Sequence, residues 1–330
     1  MSQPNVKVSV NMITYNHAPY IARAIEGVLQ QETAYPYELV IGEDCSTDGT
    51  RDIVSEYQSR HPDVIRVVTS DRNVGAIRNE DRVALASQGQ YVAYCEGDDY
   101  WHRCDKLQRQ VDFMESHPEC GLVYSDYDRH VVETGETIRE YLQSRGKTPS
   151  QPVQMEDILA GRAGILTCTV LAKRELVERI RNADPYLYRD TSFPMTDTQL
   201  WAEVSHVAAV HRIDESLATH QILAESAAHS QDRQKELFFW IANAEMCLYL
   251  CKKYDLPAST REMHESTWRR LTLKRAFLER REDLAELVKT RARALSTKEW
   301  FWYQGTRRRA VRPVVALLAW ASRCVRGQVS

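Results

Sequence analysis

Cys95-Glu96-Gly97-Asp98-Asp99-Tyr100-Trp101 sets three carboxylates directly after a strand-like apolar run, Tyr91-Val92-Ala93-Tyr94. Carboxylates this close repel one another unless a cation or water screens them. A hard divalent ion such as Mg²⁺ or Mn²⁺ takes oxygen ligands, and Mg²⁺ commonly binds one or two protein carboxylates together with substrate phosphates. A solvated acidic turn would carry the same residues, so the surrounding sequence has to decide between the two.

Working outward, short β-branched runs alternate with longer amphipathic ones: Val6–Met12 then Tyr20–Gln30, Glu38–Gly42 then Thr50–Arg60, Ile65–Thr69 then Ala76–Ser87, and Tyr91–Cys95. Strand–helix alternation implies βαβ units and a largely parallel sheet, with ligands bound beyond the carboxyl ends of its strands. The polar clusters fall at those ends. Thr14-Tyr15-Asn16-His17 follows the first strand, Glu43-Asp44-Cys45-Ser46-Thr47-Asp48-Gly49 the second, Asn73-Val74-Gly75 the third, and the acidic cluster the fourth.

Further on, a helix is expected over Lys106–His117, strands over Gly121–Ser125 and Ile165–Leu171, a polar loop around Gln143–Gln154, and helices over Arg174–Ile180 and Thr196–Val204. From Arg233 the pattern is helical only, through Phe238, Ile241, Met246, Leu248 and Tyr249 and again across Leu271–Leu295. The expected division is residues 1–230 and 231–330.

The chain's 330 residues suit one α/β domain with an appendage, and 43% hydrophobic with 27% charged residues excludes disordered and collagen-like classes. Eight scattered cysteines without a CxxC pair argue for reduced thiols in a cytoplasmic setting. No secretory signal or membrane-length apolar run is read at either end. Charge is uneven: residues from Arg269 onward hold 16 Lys/Arg against 5 Asp/Glu, net +11, which leaves net −14 for residues 1–268. A basic tail of this kind suits an anionic membrane surface or nucleic acid. With no nucleic-acid-binding motif, the second is excluded as the main role.

Residues 46–50 read well as a helix cap, with Asp48 or Thr50 capping and Gly49 turning. Capping leaves Asp44 unexplained. A carboxylate there would accept the imide hydrogen of a uracil or thymine ring, at the strand end where such sheets bind ligands. Neither G-x-G-x-x-G nor a Walker A sequence is present, which excludes dinucleotide dehydrogenases and P-loop NTPases.

Taken in order, Thr14-Tyr15-Asn16, Glu43 to Thr50, Asn73-Val74-Gly75 with Asn79, Glu96-Gly97-Asp98-Asp99-Tyr100-Trp101 and Lys106-Leu107-Gln108 resemble the family 2 glycosyltransferases, in the branch whose metal motif reads Glu-Gly-Asp-Asp-Tyr-Trp. The match is dense over residues 5–128 and loose over 160–230. The resemblance implies a GT-A fold, Rossmann-like, with a largely parallel sheet flanked by helices, followed here by an all-helical extension. It implies metal-dependent, inverting sugar transfer from a nucleotide diphosphate-sugar, UDP- or dTDP-linked, to an acceptor hydroxyl in cell-surface polysaccharide or glycolipid synthesis. By the same resemblance, Thr14, Tyr15, Asn16, Asp44, Asn73, Asn79, Glu96, Gly97 and Trp101 hold the nucleotide-sugar, and Asp98 and Asp99 hold Mg²⁺ or Mn²⁺. Glu96 stands where the family has an aspartate, and its contact moves toward ribose or a water.

Asp197, before Gln199-Leu200-Trp201, is similar to the family's catalytic base, with Asp190 the runner-up. The chain departs from the family after Asp214-Glu215, where His220, Ser226 and His229 replace Tyr-Arg-x-His-Ser. Trp101 either stacks on a sugar or fills the core, and packing is expected for Trp201. The tail, Trp300–Tyr303, Arg307–Arg309 and Val311–Trp320, reads as an interfacial membrane segment on the inner face of the plasma membrane or as a docked terminal helix. The expectation is a cytoplasmic glycosyltransferase with a lipid-linked or glycan acceptor. The alternative is a catalytically silent sugar-nucleotide-binding or scaffold protein of the same fold.

Overall fold

Apolar alternation in Val8, Val10 and Met12 and periodic burial of Ile21, Ala24, Ile25 and Val28 build the first strand–helix unit, and the same logic repeats three times. Each such fully buried side chain contributes about 1.5–3 kcal/mol. The computed structural model describes residues 6–189, 192–224, 232–292, 294–308, 310–313 and 315. Its elements run β1 (Val8–Thr14), α1 (Ile21–Leu29), β2 (Tyr37–Glu43), α2 (Thr50–Arg60), β3 (Ile65–Thr69), α3 (Ala76–Ala86) and β4 (Tyr91–Tyr94). These bounds lie within two residues of the sequence expectation.

Next come β5 (Tyr100–Trp101), α4 (Lys106–Ser116), β6 (Cys120–Val131), β7 (Glu136–Ile138), α5 (Tyr141–Ser144), α6 (Met155–Leu159), β8 (Leu171–Lys173), α7 (Arg174–Ala183), α8 (Pro185–Arg189), α9 (Thr198–Val207) and β9 (Ala209–Ile222). Among the described residues the sheet order is β3-β2-β1-β4-β8-β6-β9-β5, with β7 on β6. β1 pairs parallel with both β2 and β4, so the chain first steps outward and then returns to β1's other side. The order reverses at β1 and β4, and in sheets of this kind the crevice beyond the carboxyl ends at such a reversal is where ligands bind. β6 runs antiparallel to β8, and β8 antiparallel to β4. The carboxyl ends of β4 and β6 therefore face the same edge.

Two expectations need correction. Ile165–Leu171 is not one strand: Thr167–Thr169 forms a 3₁₀ turn, and pairing starts at Leu171. Trp101 Nε1 donates to the Cys168 carbonyl at 2.9 Å and Gln110 Nε2 to that of Thr169 at 2.8 Å, which takes these carbonyls out of any ladder. The 14-residue β9 is the converse case, because His211, Arg212, Asp214 and Glu215 mask it in sequence.

The chain divides into two compact units, one running to residue 191 and resumed at Met195–Ala224, the other comprising Ser192–Pro194 and the residues after 224. The second is all-helical where described: α10 (Arg233–Lys253), α11 (Ala258–Glu279), α12 (Glu282–Arg291) and α13 (Thr297–Arg307). Leu237, Ile241, Trp268, Leu273, Val288 and Tyr303 form its core. Ser296 and Glu299 close a capping box on α13. Of the tail aromatics, Tyr303 is buried and Trp300 is 47% exposed. No helix among the described residues is long and apolar enough to cross a membrane. Residues 316–330, with most of the Val311–Trp320 segment, lie outside the described residues.

Candidate active site

The loops after β1 and β2 are fastened to one another by bonds from backbone amides to side chains. Asn16 sits in the left-handed region at φ 54, which asparagine tolerates better than most residues. Its amide donates to Ser46 Oγ at 3.0 Å, and its Oδ1 accepts from the Thr47 amide at 2.9 Å. His17 and Ala18 amides continue the seam onto Thr50 Oγ1 and Asp48 Oδ2. Tyr15 projects outward, 42% exposed.

Asp44 is buried, and its carboxylate accepts from the amides of Val74 (3.0 Å) and Gly75 (2.9 Å) and from Arg82 (3.3 Å). Asn79 is likewise buried, with Nδ2 on the Gly42 carbonyl and Oδ1 on Arg82. Asn73 is exposed at the rim. Burial alone would raise the Glu43 carboxyl, but hydrogen bonds from Ser46 and Arg51 outweigh it and hold it low.

Across the crevice, Gly97 lies flush on β1: a Cβ there would stand 2.6 Å from Thr14 Oγ1 and 2.9 Å from His17 Nδ1. Thr14 Oγ1, His17 Nδ1 and Glu96 Oε2 are enclosed and have no hydrogen-bond partner within the described structure. Asp98 Oδ2 stands 3.9 Å from His17 Nε2, its side chain 24% exposed. Asp99 is tied to β9, accepting from the Gln221 amide at 2.9 Å and from His220 Nδ1 at 3.1 Å. Burial and then repulsion from Asp99 and Asp98 push the Glu96 carboxyl well up; burial and Asp99 raise Asp98. Burial would lower His220, but Asp99 outweighs it and holds the imidazole up.

Asp197 caps α9, its Oδ1 accepting from the Thr198 amide at 2.6 Å while Oδ2 faces Thr167 Oγ1 at 3.4 Å. It adds to the repulsion that raises Glu96, which puts it on the carboxylate side of the crevice. Asp190 and His229 lie outside the described residues. Trp101 needs correction as a sugar-binding residue: it is 3% exposed, its N–H is committed to Cys168, and Lys106 Nζ lies 4.2 Å over its ring. It is a pillar beneath the acidic turn. Trp201 is buried as expected.

Among the described residues no group of three or more His, Cys, Asp or Glu side chains stands preassembled around a metal position. The donor set nevertheless fits a hard cation that completes its shell with phosphate oxygens: Glu96 has an orphaned oxygen, and burial together with neighbouring carboxylates pushes Glu96 and Asp98 upward. Sequence reasoning does not single out His17 or Thr167. His17 directly continues the Thr-Tyr-Asn loop, whereas nothing local marks Thr167.

Comparison with known proteins places this geometry. The profile of glycosyl transferase family 2 matches residues 9–180, more than half of the chain. The putative teichuronic acid biosynthesis glycosyltransferase TuaG of Bacillus subtilis is 38% identical over 180 residues, 54% of this chain and 67% of that protein. The chain spans only 38% of the length of the uncharacterized mycobacterial relatives it matches. Two solved structures share the fold: S. aureus TarS with UDP-GlcNAc (TM-score 0.56, 17% identity, 91% of this chain and 80% of that one) and the mannosyltransferase PcManGT of Pyrobaculum calidifontis with GDP-Man and Mn²⁺ (0.55, 18%, 94% and 86%). With the sequence profile covering the strands that build the crevice, the chain belongs to glycosyl transferase family 2.

Proposed function

We propose that the chain moves a sugar, with inversion, from a nucleoside diphosphate-sugar to an acceptor hydroxyl in the synthesis of a surface polysaccharide or glycolipid. The observation that carries this reading is the crowding of Glu96, Asp98 and Asp99 at the β1–β4 crevice, with buried oxygens unsatisfied and Asp197 on the same side. Asp98, with Asp99 behind it, would hold Mg²⁺ or Mn²⁺. When bound, the ion supplies positive charge against the departing diphosphate.

The chain's own residues do the rest. The Thr14–Asn16 loop, Asn73 and Asp44 frame the base; a carboxylate offers about four acceptor positions, so one held on Val74, Gly75 and Arg82 keeps capacity for a uracil or thymine imide. Asn79 serves by fixing Arg82 and β2. Glu96, Gly97 and Thr14 face the ribose and phosphates. Asp197, with Thr198 and Thr167 fixing its two oxygens, takes the acceptor's proton as attack proceeds, so positioning and proton removal coincide. The names of relatives acting in glycan synthesis and the UDP- and GDP-sugar complexes of the fold support this reading. The basic tail with exposed Trp300 would rest on an anionic leaflet beside a lipid-linked acceptor.

The test is a binding screen of nucleotide-sugars with and without Mn²⁺, followed by release of nucleoside diphosphate. The expected result is metal-dependent binding of one donor and its turnover. Binding without turnover under any acceptor would instead make the chain a silent relative, and no binding at all would overturn both.

A further inference from the structure

We propose that Tyr127, Arg129, Tyr141 and Arg145 form a subsite for a negatively charged group, carboxylate or phosphate, carried by the acceptor. This rests on the glycosyltransferase reading for its role and on the following geometry for its chemistry. The β6–β9 register puts Arg129 opposite His220, and Tyr127 shares Arg129's face at the two-residue period of a strand. Tyr127 packs edge-on to His220 at 6.3 Å, and His220 in turn holds Asp99. On its other side Tyr127 meets Tyr141, centroids 5.4 Å apart and planes 30° apart. The guanidinium carbons of Arg129 and Arg145 each lie 5.4 Å from the Tyr141 centroid.

Neither arginine pairs with a carboxylate among the described residues, although Arg103, Arg109, Arg181 and Arg212 of the same unit all do. Asp126 and Asp128, the acids nearest Arg129 in sequence, are engaged elsewhere. Asp126 accepts from the amides of Tyr127, Leu142 and Gln143, and Asp128 accepts from Ser216 Oγ and the Glu140 amide. Both guanidinium groups border one ring, and a guanidinium offers an anion a planar pair of donors.

Position in the sheet separates this cluster from the donor. The base-framing loops leave β1, β2 and β3, whereas Arg129 is on β6, beyond β4 and β8 in the sheet order. An anion held there belongs to the molecule that meets the donor.

The test is ligand-observed NMR on the full chain with UDP and Mn²⁺ present, titrating methyl β-glucuronide, glucose 1-phosphate and neutral methyl β-glucoside. At least one charged probe should bind about tenfold more tightly than the neutral one, and which of the two wins identifies carboxylate or phosphate. In R129Q/R145Q the preference should vanish while UDP affinity and melting temperature stay unchanged. Equal binding of all three probes overturns the subsite. Loss of UDP affinity in R129Q/R145Q also overturns it, by assigning the arginines to the donor. Should the parent chain bind no nucleotide, the glycosyltransferase reading fails, while the same titration without UDP still decides the charge preference.

Discussion

The two sides of the crevice are built from similar residue types and end in opposite electrostatic states. On the nucleotide side Asp44, Asn16, Asp48, Glu43 and Asn79 all spend their oxygens on backbone amides or arginines. At the acidic turn Glu96 has an orphaned oxygen, Glu96 and Asp98 are pushed upward by burial and by repulsion from Asp99, and Thr14 and His17 of the adjoining loop add enclosed atoms without partners. Satisfied groups hold a shape. Unsatisfied buried groups cost stability, about 1–3 kcal/mol each, and persist where a ligand will complete them. The difference gives the first set a firmly held frame, from which Asp44 faces the base in the proposed reading, and leaves the acidic turn short of partners.

The comparison breaks first, and by the largest factor, at Asp197. Asp197→Asn should keep donor affinity and lose about two to four orders of magnitude in turnover, the range for general-base catalysis. The cap on Thr198 survives in this variant because the amide oxygen still accepts, so the loss reports the proton and not the helix. Turnover at the parental rate would remove Asp197 from the chemistry and pass the role to Asp190.

Asp98→Ala comes second. Metal-dependent donor binding should fall by at least about 100-fold, beyond the usual cost of disturbing an outer-shell partner, while the melting temperature holds or rises as a repelled carboxylate disappears. EDTA should reproduce the loss in the parent chain. Activity indifferent to both would sink the metal-dependent reading.

The opposite profile is expected at Asp44. Asp44→Ala strands the Val74 and Gly75 amides and the Arg82 guanidinium, so urea unfolding should show a loss of about 3 kcal/mol. Asp44→Asn, which still accepts, should lose about a third of that. If stability is unmoved while nucleotide binding vanishes, the scaffold side is misassigned.

Much of this was legible before the structure because local signals agreed. From β1 through α4, hydrophobic period, turn residues and strand-end polarity point the same way, and the observed boundaries follow them. The helical extension was legible for the same reason. Legibility fails where tertiary hydrogen bonds override local preference. Thr167–Thr169 looks like strand but turns because Trp101 and Gln110 claim its carbonyls, and Trp101 looks like a binding aromatic but is a pillar for the same reason. The strand-end position of Asp44 and the family resemblance that includes Asn79 point to ligand contacts and are silent on the partners that hold these side chains. The bonds of Asp44 to Val74, Gly75 and Arg82 and of Asn79 to Gly42 span 30 residues or more of sequence, which no local pattern encodes.

Lys106 offers the finest test, because it is a buried amine beneath the acidic turn whose hydrogen-bond partner is neutral. Its Nζ is fully buried, donates to Gln110 Oε1 at 2.6 Å and faces the Trp101 ring, and burial pushes its pKa down to about 7. In the unfolded chain a lysine titrates near about 10.4. Between these values the unfolded chain binds more protons than the folded one, so stability should rise as pH climbs from 7 toward 10. One such proton changes stability by at most about 1.4 kcal/mol per pH unit. Comparing urea unfolding at pH 7 and pH 9, the parent chain should gain stability relative to Lys106→Met, whose core carries no titrating amine. The absolute stability of the variant is a poor guide, since it also strands Gln110, but the slope isolates the ammonium. Parallel pH profiles for the two chains would mean that Lys106 keeps its proton when folded, held by the Trp101 face and the Gln110 oxygen more strongly than burial opposes it. The pillar beneath the acidic turn would then carry a permanent positive charge, and the carboxylate side would be less short of counter-charge than the comparison requires.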